Sequence, residues 1–241
     1  MPRFYTPDAL IAGATAALPE AVAHHIRVLR LEPGAPLTLF NGDGNNYDAI
    51  LAAVDKRSAS AQVVQATAHD VELPYPITLA QAVPEASKMD WIIEKAVELG
   101  AAAVQPLLAQ RCVVRLSGER AEKRLAHWQG VIVAASEQSG RSRLTGLSAV
   151  EDIHKWLARP SGEPTILLSP RGTQSLASWA GANPAQAITL MVGPEGGFTP
   201  AEEDAAIARG ALALRMGPRI LRTETAALAA MAMLGGLWGG M

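Results

Sequence analysis

The chain carries one cysteine, Cys112, in 241 residues. A lone thiol excludes an internal disulfide framework and a cysteine-rich zinc site. His24 and His25 are adjacent, so they cannot share one helix face, and no carboxylate pattern accompanies them to suggest a metal. No apolar run approaches the ~20 residues of a membrane span. Met1-Pro2-Arg3-Phe4-Tyr5 lacks the apolar stretch of a secretory signal. A soluble, cytoplasmic protein is therefore expected. Two motifs are also missing: the Gly-x-x-x-x-Gly-Lys-Ser/Thr phosphate loop and the Gly-x-Ser-x-Gly nucleophile elbow. Gly42 and Gly44 join two strand candidates rather than a strand and a helix, so they form no dinucleotide fingerprint.

Charge is sparse and nearly balanced, with 18% charged residues and a net charge of -2. That total fits a nucleic-acid binder poorly, but its distribution is uneven. Residues 86–143 hold 9 Lys/Arg against 6 Asp/Glu, a net +3, while the stretches on either side are net acidic. Such a stretch can supply a local phosphate-contacting face or simply solvated helix surfaces. What is abundant is apolar material, 49% of the chain, enough for a real core.

The first ~70 residues read as mostly β. Strands are expected at Pro36–Phe40, Tyr47–Leu51 and Ala59–Thr67, with a hairpin turn at Asn41–Asn46 and a short helix over Glu20–Leu29. Leu73-Pro74-Tyr75-Pro76 resists regular structure and marks a boundary. Beyond it, strands and helices alternate, the pattern of an α/β domain with a largely parallel sheet. Ile77–Val83 is nearly continuous in apolar residues, as in a strand buried on both faces. Ser87 is placed to cap a helix running to Gly100, and Gly118–Gln138 reads as a long helix. Ser148 and Glu151 have capping-box spacing. Strands at Thr165–Leu168, Ala187–Val192 and Ala211–Met216 alternate with helices at Ser175–Trp179, Pro200–Arg209 and Glu224–Trp238.

Three strand ends collect unusual chemistry: Leu167-Leu168-Ser169-Pro170, Gly193-Pro194-Glu195-Gly196-Gly197-Phe198, and Met216-Gly217-Pro218-Arg219-Ile220-Leu221-Arg222-Thr223-Glu224-Thr225-Ala226. In parallel sheets, ligands gather outside the carboxyl ends of strands. The glycines permit tight turns and close approach of backbone to ligand. Thr199-Pro200-Ala201-Glu202 supplies an N-cap, a helix-starting proline and a capping-box glutamate. A plain strand–turn–helix connection explains that much, but not a glutamate wedged between glycines. Capping by Thr223 or Thr225 would leave Arg222 and Glu224 unexplained at the mouth of an apolar helix that should be buried.

Taken together, these segments resemble the C-terminal signature of SPOUT-type methyltransferases. They are more narrowly similar to the bacterial 16S rRNA uridine-N3 methyltransferase family. Lys88-Met89-Asp90-Trp91-Ile92-Ile93-Glu94-Lys95-Ala96-Val97-Glu98-Leu99-Gly100, Glu137-Gln138-Ser139-Gly140-Arg141, Pro2-Arg3-Phe4-Tyr5 and His25-Ile26-Arg27-Val28-Leu29-Arg30 agree with it, so the resemblance spans the chain. Met216 stands where the family often has leucine, a change of similar volume.

The resemblance implies an α/β fold with two parts. Residues 1–72 would form a PUA-like RNA-binding β-barrel. Residues 76–241 would form a SPOUT methyltransferase domain with a deep trefoil knot. It also implies a homodimer, S-adenosyl-L-methionine as cofactor, 16S rRNA of the small ribosomal subunit as substrate, and no metal. The cofactor is expected against Leu168, Ser169, Gly193, Pro194, Glu195, Gly196, Met216, Gly217, Ile220, Leu221, Arg222, Thr223, Thr225 and Ala226. Because the methyl group sits on a cationic sulfonium, no protein nucleophile is required, but N3 of the uracil must lose its proton. Arg222 is the candidate for stabilising the negative charge that results. Glu195 is a second catalytic candidate, as proton acceptor or substrate orienter. Arg3, Arg27, Arg30, Lys88, Arg111 and Arg141 are candidate RNA contacts. Two alternatives stay open: a SPOUT enzyme acting on another nucleotide, and a non-catalytic RNA-binding ribosome-assembly factor.

Overall fold

The computed structural model describes every residue except Ala86 and Ser161. It divides into two compact units. The first comprises Met1–Glu72 with Ser136–Leu144, and the second comprises Leu73–Ala135 with Thr145–Met241.

The first unit is a five-stranded sheet built from β1 (Arg3–Tyr5), β2 (Thr15–Leu18), β3 (Pro36–Phe40), β4 (Asn45–Val54) and β5 (Ala59–Ala68), with helix α1 (Glu20–Val28) between β2 and β3. The sheet order is β1-β3-β4-β5-β2. β1 and β2 are additions to the expected strands, and β4 runs longer than its apolar centre suggested. Period-two burial along β4 and β5 turns Tyr47, Ala49, Leu51, Ala59, Ala61 and Val63 into a core with Phe4, Leu37, Leu39 and, from α1, Ile26. α1 closes at Arg30, whose φ of 54° is positive. The Leu31 amide bonds back to the Ile26 carbonyl. Arginine thus occupies a left-handed position where glycine is the usual choice.

Residues 136–144 join this unit through polar contacts far apart in sequence. The Arg3 guanidinium donates to Asn46 Oδ1 (2.6 Å), Ser142 Oγ (2.8 Å) and the Arg141 carbonyl (2.9 Å), and lies over the Phe40 ring at 4.5 Å. The Tyr5 amide donates to Glu137 (2.9 Å). Arg141 is 4% exposed and forms a two-pronged pair with Glu72, Nε to Oε1 at 3.0 Å and Nη2 to Oε2.

The second unit contains β6 (Ile77–Ala82), α2 (Lys88–Glu98), β7 (Ala103–Leu108) and the body of α3 (Gly118–Ser139). Short strands β8 (Gly146–Leu147) and β9 (Glu151–Asp152) precede α4 (Ile153–Leu157). Then come β10 (Thr165–Leu168), β11 (Gln174–Ser175), α5 (Leu176–Ala182), β12 (Ile188–Val192), α6 (Pro200–Ala208), β13 (Leu212–Arg215) and α7 (Thr223–Trp238). The sheet order is β11-β13-β10-β12-β6-β7-β8, with β9 also on β7, and every pairing is parallel. β6 and β12 are central and mostly buried on both faces, the setting in which Ile77–Val83 reads as a nearly continuous apolar run.

The helix ends divide into confirmed and corrected expectations. Thr199 and Glu202 form the reciprocal capping box that starts α6. Ser148 and Glu151 do not form one. Asp152 caps α4 instead, its carboxylate accepting from the amides of His154 and Lys155, while Glu151 pairs with Arg159 at 2.8 Å. Ser87 occupies the cap position of α2 without a side-chain bond, and α7 starts after Arg222, likewise with no side-chain cap. α7 packs on α2 and α5. Its far end is fixed by aromatic contacts: Tyr75 meets the Trp238 ring edge-on at 5.1 Å and donates to the carbonyls of Leu234 and Gly239. The irregular Leu73–Pro76 stretch is thus an anchor as well as a boundary.

Candidate active site

Parallel register sets the ends of β10, β12 and β13 side by side, since Leu168 pairs with Leu214 and Leu167 with Met191. At these carboxyl ends lies a cleft of about 260 Å³, lined by Leu168, Ser169, Pro170, the run Arg215–Leu221 and Ala226. Gly217, with φ 116°, turns the chain along its wall. A larger cavity of about 540 Å³ opens at the opposite, amino ends of β6, β10 and β12, beside Thr78, Thr165, Thr189 and Trp156. It has neither the glycine turns nor the strand carboxyl ends. The smaller cleft is therefore the better cofactor site.

The structure brings Leu168, Ser169, Met216, Gly217, Ile220, Leu221 and Ala226 together on the cleft. Gly193, Pro194, Glu195, Gly196, Arg222, Thr223 and Thr225 are outside its lining. Ser169 is buried, and its hydroxyl is engaged with both Glu203 oxygens at 3.0 Å. Arg171 steadies the same carboxylate at 3.2 Å. Ile220 stands 85% exposed at the rim.

The Gly193–Gly197 turn is braced from all sides. Three of its carbonyls are occupied: Gly193 accepts from Thr223 Oγ1 (2.5 Å), Pro194 from the Gly197 amide (2.8 Å) and Gly196 from Arg111 Nη1 (2.7 Å). Arg111 also reaches the Phe198 carbonyl at 3.3 Å, so this exposed arginine braces the turn. A Cβ at Gly193 would stand 2.9 Å from the Phe198 amide nitrogen and 3.0 Å from Gly197 backbone atoms. At Gly196 it would meet only the flexible Arg111 side chain, at 3.3 Å. Gly193→Ala is accordingly expected to weaken S-adenosylhomocysteine binding at least about tenfold, ~1.4 kcal/mol, while Gly196→Ala stays within about threefold. Titration calorimetry on both variants checks this, and equal affinities would refute it.

The charged candidates sort by what holds them. Glu195 accepts from Lys88 Nζ (2.7 Å) and from the Glu85 amide (3.1 Å). Burial pushes its carboxyl up, but the Lys88 ammonium and the Glu195 and Glu85 amides outweigh that and hold it below the usual range. A carboxylate so held is a poor proton acceptor, which counts against the expected basic role. Lys88 is itself engaged by Glu195 and Glu85. Arg222 is exposed, and its guanidinium has no hydrogen-bond or ion-pair partner among the described residues. The neighbouring Glu224 keeps one buried carboxylate oxygen without a hydrogen bond. Thr223 is buried and turned inward, so it caps nothing.

In the first unit Arg3 is committed to Asn46, Ser142 and the Arg141 carbonyl. Arg141 is committed to Glu72 and almost fully buried, which leaves little of its guanidinium to meet a phosphate. Arg27 and Arg30 are exposed, and Arg27 donates to the Lys56 carbonyl at 3.2 Å. That contact brings Arg27 beside the exposed Lys56–Arg57 turn, which sequence pattern did not single out and where Arg57 pairs with Glu20 at 3.6 Å. No cluster of three His, Cys, Asp or Glu able to hold a metal occurs among the described residues, and no helix there is long and apolar enough to cross a membrane.

Residues 71–235 match the model of an RNA methyltransferase domain, and residues 18–64 that of an RNA methyltransferase PUA domain. Ribosomal RNA small subunit methyltransferase E of Synechocystis is 35% identical over 233 residues, covering 94% of this chain and 75% of that protein. The chain belongs to the ribosomal RNA small subunit methyltransferase E family. A family member from Neisseria gonorrhoeae, solved bound to S-adenosylmethionine, superposes with a TM-score of 0.93 at 42% identity, covering 99% of this chain and 98% of that one. A methyltransferase from Legionella pneumophila, also solved with that cofactor, gives 0.91 at 32% identity, with 98% and 97% covered. The braced glycine turn and the strand-end cleft lie within the residues that match the methyltransferase domain.

Proposed function

We propose that the protein methylates uridine N3 in 16S rRNA of the small ribosomal subunit, using S-adenosylmethionine. The cleft at the ends of β10 and β13 supports this reading, together with an unpaired Arg222 next to it. The fit is chemical. Leu168, Ile220, Leu221 and Ala226 offer apolar surface, and Gly217 lets backbone approach a ligand closely. The cofactor, when bound, supplies a methyl group on a sulfonium cation. The protein must then hold the uracil in line and stabilise its anion. Arg222 meets the second need: a guanidinium is planar, donates in pairs and keeps its charge across the working pH range. A base that is paired or stacked in rRNA must first leave its stack.

Residues 1–72 act in this reading as a PUA-like RNA-binding module and residues 76–241 as the methyltransferase domain. The exposed Arg27, Arg30 and Lys56 suit phosphate contacts, which are not sequence-selective. A homodimer is supported by Ile220, by Leu237 at 50% exposure, and by the half-buried Leu228, Ala229, Ala232 and Met233 on α7. A trefoil knot in the methyltransferase domain belongs to the same reading, which rests on the family resemblance. The cytoplasm, where ribosomal subunits are built, is the expected site of action.

Incubating hypomethylated small subunits with labelled cofactor, then mapping the modified nucleoside, tests the reading; label on another nucleotide, or none, overturns it. Glu195 gives a pH prediction. A carboxyl held low in the fold adds stability above its unfolded pKa and loses it as pH falls through the folded one, so its titration lies well on the acid side of neutrality. Glu195→Gln should thus leave the shape of the kcat/KM profile unchanged from about pH 6 to 9. A limb lost from that profile would restore Glu195 as the base.

A further inference from the structure

Gln81 is a carboxamide in the central strand β6, 0% exposed, where its neighbours Leu79, Ala80 and Ala82 are apolar and equally buried. Its Nε2 donates to Thr223 Oγ1 at 2.9 Å and to the Ala82 carbonyl at 2.8 Å, and reaches the Gly193 carbonyl at 3.5 Å. The Thr223 hydroxyl passes the bond on to that Gly193 carbonyl at 2.5 Å. The direction of the relay is fixed. Turning the amide over would set Oε1 against two carbonyls and against a hydroxyl whose only proton is already used. In the observed orientation Oε1 is buried with no donor. A residue kept only to fill the strand would be apolar and would leave no orphaned acceptor.

The relay joins the two places that matter for the cleft. Gly193 begins the glycine turn after β12. Thr223 is the first residue of α7, directly after Arg222. Neither Gln81 nor Thr223 lines the cleft. We propose that Gln81 and Thr223 are positioning residues, holding the glycine turn against the start of α7 so that Arg222 is aimed at the substrate base. This rests on the methyltransferase reading and moves Thr223 from ligand contact to support.

The test compares full-length Thr223→Val, Thr223→Ser and Gln81→Leu with wild type. Single-turnover methyl transfer, S-adenosylhomocysteine affinity and amide hydrogen exchange over residues 193–198 are measured for each. Thr223→Val and Gln81→Leu are expected to slow transfer at least about tenfold, because sub-ångström aim governs the rate, with affinity within about threefold. Exchange over 193–198 should quicken in the same two variants. Thr223→Ser keeps the hydroxyl and should recover most of the rate. Wild-type transfer in Thr223→Val, a serine variant as slow as valine, or slow transfer with unchanged exchange would each overturn the proposal. Should Thr223→Val fail to fold, Gln81→Leu carries the same comparison. If wild type transfers no methyl group, the methyltransferase reading fails instead, and exchange over 193–198 still decides whether the relay holds the turn.

Discussion

Arg222→Ala is expected to lower the single-turnover methylation rate by about 10²–10³-fold while leaving S-adenosylhomocysteine affinity within about threefold of wild type. Three observations set that split. Arg222 does not line the cleft, so its side chain adds little to cofactor binding. It caps α7 with backbone only, through its carbonyl and the Ala226 amide, and alanine keeps that bond. Its guanidinium has no partner within the described protein, so its charge is available to a uracil that becomes anionic only as the proton leaves N3. An interaction made mainly in the transition state appears in the rate and not in ground-state binding. Lysine at 222 should recover part of the loss, since it keeps the charge and gives up the paired donors. An unchanged single-turnover rate in the alanine variant would remove Arg222 from the chemistry.

The largest effect on stability belongs to Arg141→Ala. Its guanidinium is buried and grips both oxygens of Glu72, itself only 20% exposed. Removing one member of a buried pair strands the other charge, at a cost of about 3–5 kcal/mol. Urea denaturation followed through the first unit should show that loss. Replacing both partners, as in Arg141→Met with Glu72→Leu, should recover much of it, because no charge is then left behind. A single-variant loss below about 1 kcal/mol would class the pair with exposed ion pairs. Either result bears on how Ser136–Leu144 is held, since Arg3, Asn46 and Ser142 tie down the same segment.

Much of this was legible in the sequence, for local reasons. β6 declared itself because a strand buried on both faces cannot alternate. The start of α6 was legible because a capping box spans only Thr199 to Glu202. The cleft-forming strand ends stood out because glycine and charge there lack a purely structural use. What could not be read depends on partners distant in sequence. The Gly196 carbonyl that Arg111 braces and the Glu72 carboxylate that holds Arg141 are 85 and 69 residues away from them. The Ser148–Glu151 spacing was sound chemistry outcompeted by Asp152. Gln81 did leave a signal, a polar residue inside an apolar strand, but its partner at Thr223 is 142 residues away. The return of residues 136–144 to the first unit has no periodic trace at all.

Every residue lining the cleft falls between Leu168 and Ala226. Synthesis proceeds from the amino end, and domains generally begin to fold in that order. The first unit's sheet, complete by Ala68, can therefore form early during translation. The cleft cannot, because one wall requires the segment after β13 and another the start of α7. The nascent chain thus completes the strands of its PUA-matched unit well before the strand-end cleft can exist, and the cleft is whole only once translation has passed Ala226.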